Sequence, residues 1–310
     1  MRMRSLGILL ALCAACAGHR TTPTPATVRG PARDSVFHLD ETRTDSVAAH
    51  GVVDAMVGLM SPDAIYLRAG APAAYGIDAV RALLKATPDT PGIRSSWQPE
   101  GGGISDDLRS AYTFGIVARA AADSPIRFER YIAYWRRDAG QSWQIAAYAE
   151  INGALSPEPT VIPEQPPPAQ PPLAKPQADA RAQVFGADSA FADLGYRMGT
   201  AYAFSNSVAP EGVVFGSPQL VIGPQAIQEF FAARGSGTSL SWRPVYAAVA
   251  GSRDLGFTVG EYTLTGRGPT GAAVQRFGKY LTVWRRQPKG SWKFVVDGGN
   301  GSPAKKTGDE

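Results

Sequence analysis

Hydrophobic and polar positions change period along this chain in an order that occurs twice. In the first occurrence, Val36, Asp40, Arg43 and Val47 share one helical stripe, and a second helical segment covers Val52 to Met60 before Pro62 closes it. A short strand, Ala64 to Leu67, precedes an amphipathic helix over Ile77 to Lys85. Strand period then takes over around Trp97, from Ser110 to Ala120, and in a hairpin from Phe128 to Ile151. The second occurrence repeats each step. Val184 to Asp188 aligns with Val36 to Asp40, Gly212 to Phe215 is the short strand, and Gly223 to Phe231 aligns with Gly76 to Leu84. Trp242-Arg243-Pro244 matches Trp97-Gln98-Pro99, and Leu255 to Leu264 matches Ser110 to Arg119. A hairpin over Phe277 to Asn300 closes the repeat, with the same Tyr, Trp-Arg-Arg, Gly-bearing turn and Ser-Trp as its counterpart. Helices followed by long antiparallel strands form an α+β pattern, so the chain is predicted to hold two α+β domains, each a curved antiparallel sheet packed on its N-terminal helices.

The hairpin sorts its side chains by register. With Gln287 to Gly290 as the loop, Arg286 opposes Ser291 and Tyr280 opposes Asp297. Leu281, Val283, Trp292, Phe294 and Val296 then face the helices. Tyr280, Thr282, Trp284, Lys293, Val295 and Asp297 fall on the outer face. The first repeat sorts likewise, with Ile132, Tyr134, Trp143 and Ile145 inward and Tyr131, Trp135, Gln144 and Tyr148 outward. A bulge near the turn swaps the sets. Outward aromatics mark a packing surface between sheets, either of the two repeats within one chain or of two chains.

At 310 residues and 44% apolar content there is enough chain for two cores. The expected division is 1–15 signal peptide, 16–33 lipidated Cys and flexible tether, 34–153 first domain, 154–178 linker, 179–300 second domain and 301–310 polar tail. Nine prolines between Pro157 and Pro176 identify the linker. Arg2 and Arg4 precede the apolar stretch Leu6 to Leu12, the form of an export signal. Cys13-Ala14-Ala15-Cys16-Ala17-Gly18 resembles the lipobox of bacterial lipoprotein signal peptides, which implies lipidation at Cys16 and a protein held by its lipid in the cell envelope, facing the periplasm at the outer membrane. Plain secretion, with cleavage near Ala15 or Gly18, is the alternative. The net charge of +4 and the lack of a dense basic run give no signal of nucleic-acid binding, and no nucleic-acid partner is expected. Cys13 and Cys16 are the only cysteines, so no disulfide or thiolate chemistry is available further along.

The Gly-x-x-Ala-Ile helix (Gly223 to Ile227), Trp242-x-Pro244, the strand Gly256-Phe257-Thr258-Val259-Gly260-Glu261-Tyr262 and the run from Gly278 to Lys293 look like the nuclear transport factor 2-like superfamily, with a SnoaL-like branch the closest in pattern. The resemblance implies cone-shaped domains with a pocket between sheet and helices, and it implies no single activity. Asp188 sits on the apolar stripe of its helix, four residues after Val184 and three before Phe191, so its carboxyl requires a partner or a pocket. Asp40 holds the same place in the first repeat. Strand alternation puts Glu261 in a row with Phe257 and Val259, and the first repeat has Ile116 there. Asp297 ends the last strand, where some SnoaL-like cyclases place an acid/base carboxylate. The expected ligand-binding set is Asp188, Tyr196, Trp242, Phe257 and Glu261, with Asp188, Glu261 and Asp297 as catalytic candidates. His38 and His50 are the only histidines beyond the N-terminal segment, so no metal and no cofactor is expected, and acid/base chemistry falls to Asp, Glu and Tyr. The leading expectation is binding of a small apolar or amphipathic ligand or a protein partner; the alternative is an isomerase, dehydratase or cyclase type of enzyme in the second domain.

Overall fold

The computed structural model describes residues 26–86, 93–121, 124–151, 177–216, 219–234, 237–268 and 270–303. The signal segment with Cys13 and Cys16, most of the proline-rich linker and the last seven residues lie outside the described residues. The first repeat runs α1 (Ala26–Leu59), β1 (Met60–Leu67), β2 (Ala74–Tyr75), α2 (Ile77–Ala86), β3 (Arg94–Ile104), β4 (Ser110–Ala121), β5 (Ser124–Arg136) and β6 (Gln144–Ile151). The second runs α3 (Gln177–Met198), α4 (Thr200–Ser207), β7 (Val208–Phe215), β8 (Leu220–Ile222), α5 (Pro224–Ala232), β9 (Ser239–Val249), β10 (Leu255–Arg267), β11 (Ala273–Arg286) and β12 (Trp292–Gly301). Two α+β domains are present, as the pattern predicts.

Each repeat forms its own six-stranded sheet, in the order β2-β1-β6-β5-β4-β3 and β8-β7-β12-β11-β10-β9. Neighbouring strands are antiparallel except where β1 joins β6 and β7 joins β12, both in parallel. Helix α1 starts earlier than the expected domain start near Asp34. Residues assigned to the tether form its first turns, and buried Arg29 there donates to the Ile104 carbonyl and to Asp106. Gly51 (φ 78°) breaks α1, and Gly199 (φ 87°) separates α3 from α4 at the matching place. A residue with a Cβ is strained at that φ, so the same glycine turns both helical layers over their sheets.

Both faces of each sheet are buried. On one face of the first sheet, Val36, Val47 and Met56 of α1 and Val80 and Leu84 of α2 close over Tyr131, Trp135 and Tyr148. In the second domain Val184, Phe191, Phe204 and Ile227 close over Trp284, Trp292 and Phe294. The remaining faces pack on each other. Ile65, Phe114, Ile132, Tyr134 and Ile151 of the first sheet share one core with Val213, Phe257, Val259, Leu281 and Val283 of the second. Tyr134 meets Phe257 with ring centroids 4.7 Å apart.

Trp292 and Phe294 face the helices as expected, whereas β11 and the end of β12 present faces opposite to those expected from register. Tyr280, Thr282 and Trp284 point under the helices, and Leu281 and Val283 point at the other domain. The loop is one residue longer than expected, pairing Arg286 with Trp292, and a bulge between Val283 and Trp284 shifts the register again so that Thr282 opposes Asp297. The first domain has the same irregularity between Tyr134 and Trp135. Consequently Tyr131, Trp135 and Tyr148 lie beneath helices, and Ile132 and Tyr134 form the surface between sheets.

Polar contacts fasten the two domains at both ends of the shared face. Asp254 accepts from the Asp106 amide at 3.0 Å, and Asp107 accepts from the Ser252 amide at 2.9 Å. At the other end the Asn300 amide donates to the Leu67 and Glu150 carbonyls, at 2.8 and 2.6 Å. The Lys279 ammonium donates to Asn300 Oδ1, and burial pulls its pKa down to about 8. No helix among the described residues is long and apolar enough to cross a membrane.

Candidate ligand cavity in the second domain

Helix α3 brings Asp188 over the centre of the second sheet, where it is fully buried. The Tyr280 hydroxyl donates to its Oδ2 at 3.0 Å. Its Oδ1 has no partner at hydrogen-bond geometry, and neither has the indole Nε1 of Trp242. Burial pushes the Asp188 carboxyl up to about 6, against the nearby Thr258 hydroxyl, Tyr280 phenol and Trp242 indole, which favour the charged form. Thr258 is itself fixed by the Trp284 indole, which donates to its hydroxyl oxygen at 2.8 Å.

Beside this group is a cavity of about 300 Å³, walled by Phe204, Phe231, Trp242, Tyr262 and Tyr280 with Asp297 on its floor. Phe191 also lines it and packs on Trp242, with centroids 4.6 Å apart. Ile151 of the first domain contributes to the wall. Asp297 accepts from the Thr282 hydroxyl. Burial raises the Asp297 carboxyl to about 7; Thr282 opposes the rise and the charge of Asp188 adds to it. The exposed Arg234 stands at the mouth with its guanidinium 4.3 Å from the Phe230 ring centroid. Among the described residues, no group of three or more His, Cys, Asp or Glu is placed to hold a metal ion.

Of the residues singled out from sequence, Trp242 and Asp297 line this cavity, and Asp188 lies buried behind it, bonded to the lining Tyr280. The others lie elsewhere. Phe257 lies on the opposite face of β10, in the core between the sheets. Glu261 shares that face and pairs at the surface with Arg243 at 2.8 Å. It borders a separate cleft of about 770 Å³ between the domains, which Pro72, Tyr75 and Lys279 also line. Tyr196 is 87% exposed and turned away from the cavity. Phe204, Phe231 and Tyr280 were not in the expected ligand set. Phe204 and Phe231 belong to apolar helices whose orientation no motif announces, and Tyr280 was assigned to the other face.

The first domain has the same parts arranged differently. Tyr131 donates to Asp40, and the Trp135 indole donates to Thr113, as Tyr280 does to Asp188 and Trp284 to Thr258. Here, however, Arg43 fills the space between helix and sheet, fully buried and paired with Asp40. The Trp97 indole donates to the Tyr148 hydroxyl at 3.0 Å, a partner that Trp242 lacks because Asp297 replaces Tyr148.

Two raised carboxyls make the second domain's stability pH-dependent. A carboxyl with a pKa above its unfolded value stabilises the fold while protonated, and this contribution is lost as pH rises through the folded pKa. For Asp188 and Asp297 the loss runs from about pH 4 to about pH 7. Asp297→Asn, which cannot ionise, is expected to be more stable than the parent at pH 8 by about 2 kcal/mol, after discounting for water in the cavity, and equal to it at pH 4. Thermal melts at the two pH values check this; an equal difference at both would remove ionisation as the cause.

No protein-family model and no curated protein matches this chain. Solved structures do. A ketosteroid isomerase-like protein from Erwinia carotovora atroseptica is similar at 16% identity and a TM-score of 0.34, covering 42% of this chain and 98% of its own. A nuclear transport factor 2-like protein of unknown function from Pseudomonas putida is similar at 16% identity and a TM-score of 0.35, covering 44% and 98%. A Catenulispora acidiphila protein in complex with S-DNPA is similar at 12% identity and a TM-score of 0.33, covering 40% and 95%.

Proposed function

We propose that this chain is an exported, lipid-anchored tandem protein of the nuclear transport factor 2-like superfamily, of its SnoaL-like branch, whose second domain binds a small apolar or amphipathic molecule. The observation that carries the reading is the aromatic cavity of about 300 Å³ in the second domain, lined by Phe191, Phe204, Phe231, Trp242, Tyr262 and Tyr280 with the Asp297 carboxyl among them. A cavity of this size, mostly apolar with few polar groups, has the form of a small-molecule site. The neutral fluorophore N-phenyl-1-naphthylamine is expected to bind the full chain saturably, one per chain, with enhanced emission. A leucine at Gly298, whose added Cβ meets Phe215 and Ile151 below 3 Å, is expected to obstruct the floor and weaken binding at least tenfold. Absence of saturable binding by the parent would refute the reading.

One observation favours a second reading, an acid/base enzyme of isomerase, dehydratase or cyclase type. A carboxyl near pKa 7 on the floor of an apolar cavity both accepts and donates a proton at neutral pH. Asp297 would move the proton, and Tyr280, held by Asp188, would orient the bound molecule. Turnover of a bound compound that disappears in Asp297→Asn while binding persists would establish this reading over simple binding.

Anchoring is tested separately. Cys16→Ala is expected to move the protein from the membrane fraction to the soluble fraction, and an unchanged membrane fraction would refute lipidation at that residue.

A further inference from the structure

The first domain contains a built example of what its space between helix and sheet accepts. The Arg43 guanidinium is held there by the Asp40 carboxylate and by four aromatic rings. Its central carbon lies 5.1 Å from the Trp97 ring centroid, 5.5 Å from Tyr131, 5.6 Å from Trp135 and 5.2 Å from Tyr148. Its Nε and Nη1 have no hydrogen-bond partner, so the site holds the cation by charge and ring faces rather than by a full set of acceptors. This is the chemistry of an aromatic cage.

The second domain keeps the rings and fills the place of the guanidinium with a neutral one: Phe191 is buried there, 4.6 Å from Trp242 and 6.1 Å from Trp284 between centroids. Asp188, Trp242, Tyr280 and Trp284 stand where Asp40, Trp97, Tyr131 and Trp135 stand in the first. Two positions differ. Phe191 replaces Arg43, which removes the positive charge, and Asp297 replaces Tyr148, which puts a second carboxyl on the floor. Relative to the first domain the site has lost a cation and gained an acid. Asp297 lines the cavity, and Asp188 lies buried behind it, accepting from the Tyr280 hydroxyl. A bound neutral hydrocarbon leaves both acids as they are, whereas a bound cation supplies the charge that Arg43 supplies next door. The cation lining this cavity is Arg234, and it stands at the mouth, stacked on Phe230 and Phe231 rather than beside either acid.

We infer that the second domain's cavity takes a small organic cation, a protonated amine, guanidinium or quaternary ammonium on an apolar body, with its charge facing Asp297 and its body against Trp242 and Tyr280. The inference rests on the cavity being a ligand site and names the class of ligand.

The experiment compares three probes with one ring and three charges, phenethylammonium, 2-phenylethanol and phenylacetate, by calorimetry or by displacement of N-phenyl-1-naphthylamine from the full chain at pH 8. Phenethylammonium is expected to bind at least tenfold tighter than 2-phenylethanol, and phenylacetate weakest of the three. Asp297→Asn is expected to erase the preference for the ammonium over the alcohol. The double variant Phe191→Arg with Asp297→Tyr, which rebuilds the first domain's arrangement, is expected to fold and to bind none of the three. Equal binding of ammonium and alcohol, or tightest binding of phenylacetate at Arg234, would overturn the cation assignment while the cavity reading stands. Binding of the naphthylamine without any of the three probes would do the same, and failure of all four would overturn both.

Discussion

Arg43→Ala is expected to destabilise the chain by about 3–5 kcal/mol, because it leaves Asp40 ionised, buried and without its counter-charge. The lost packing adds to this, since the guanidinium fills the centre of four rings. With both domains unfolding together the melting temperature should fall by about 10 °C. The charge explanation has its own control. Arg43→Met combined with Asp40→Asn removes both charges while keeping bulk, and should recover most of the loss. Equal destabilisation in the single and double variants would show that packing alone, not the ion pair, stabilises this core.

Val283→Asp is expected to have an effect of similar or greater size, roughly 4–5 kcal/mol, for a different reason. Val283 is fully buried between the two sheets, opposite Phe257 in register and next to Leu281 in the shared core. A carboxylate there has no counter-charge and no water. The chain has two responses, loss of the fold or separation of the sheets, and both expose apolar surface. A lowered melting temperature together with a larger radius of gyration in small-angle scattering is the expected result. An unchanged radius and melting point would mean that the two sheets do not rest on each other in solution.

The order of elements in both repeats was legible because helix period and strand period alternate cleanly and the two copies corroborate each other. Ile77 to Lys85 and the closing hairpin stand within a few residues of their expected places, whereas the first helix begins at Ala26, ahead of the expected start near Asp34. The direction in which the hairpin faces was not legible. Strand alternation tells inside from outside only when one face is wet, and here Tyr280 and Trp284 lie under helices while Leu281 and Val283 lie under another sheet. With two apolar faces, one added loop residue and one bulge were enough to reverse β11 and the end of β12 while Trp292 and Phe294 kept their expected side. The same slip explains the candidate acids. Asp188 was legible because a helical stripe has no register to lose. Asp297 was placed with Tyr280 and Thr282, correctly, but on the wrong side of the sheet, and so appeared remote from the cavity whose floor it forms. Phe257 and Glu261 were misplaced by the converse error on β10. Arg43 stood on the stripe in plain view, but nothing in a sequence shows that an arginine has turned inward to fill a cavity.

The face-to-face packing of the two sheets within one chain has a consequence for how the halves are free to change. Where identical subunits pair, symmetry copies every substitution into both pockets. A chain that holds two such domains escapes that constraint. One domain can fill its core with a salt-bridged arginine and become a stable half on which the other rests, while the other keeps a cavity with an acid in its lining. The stoichiometry that follows is one occupied site per two folds, and a titration that reached two equivalents would show that both domains are at work.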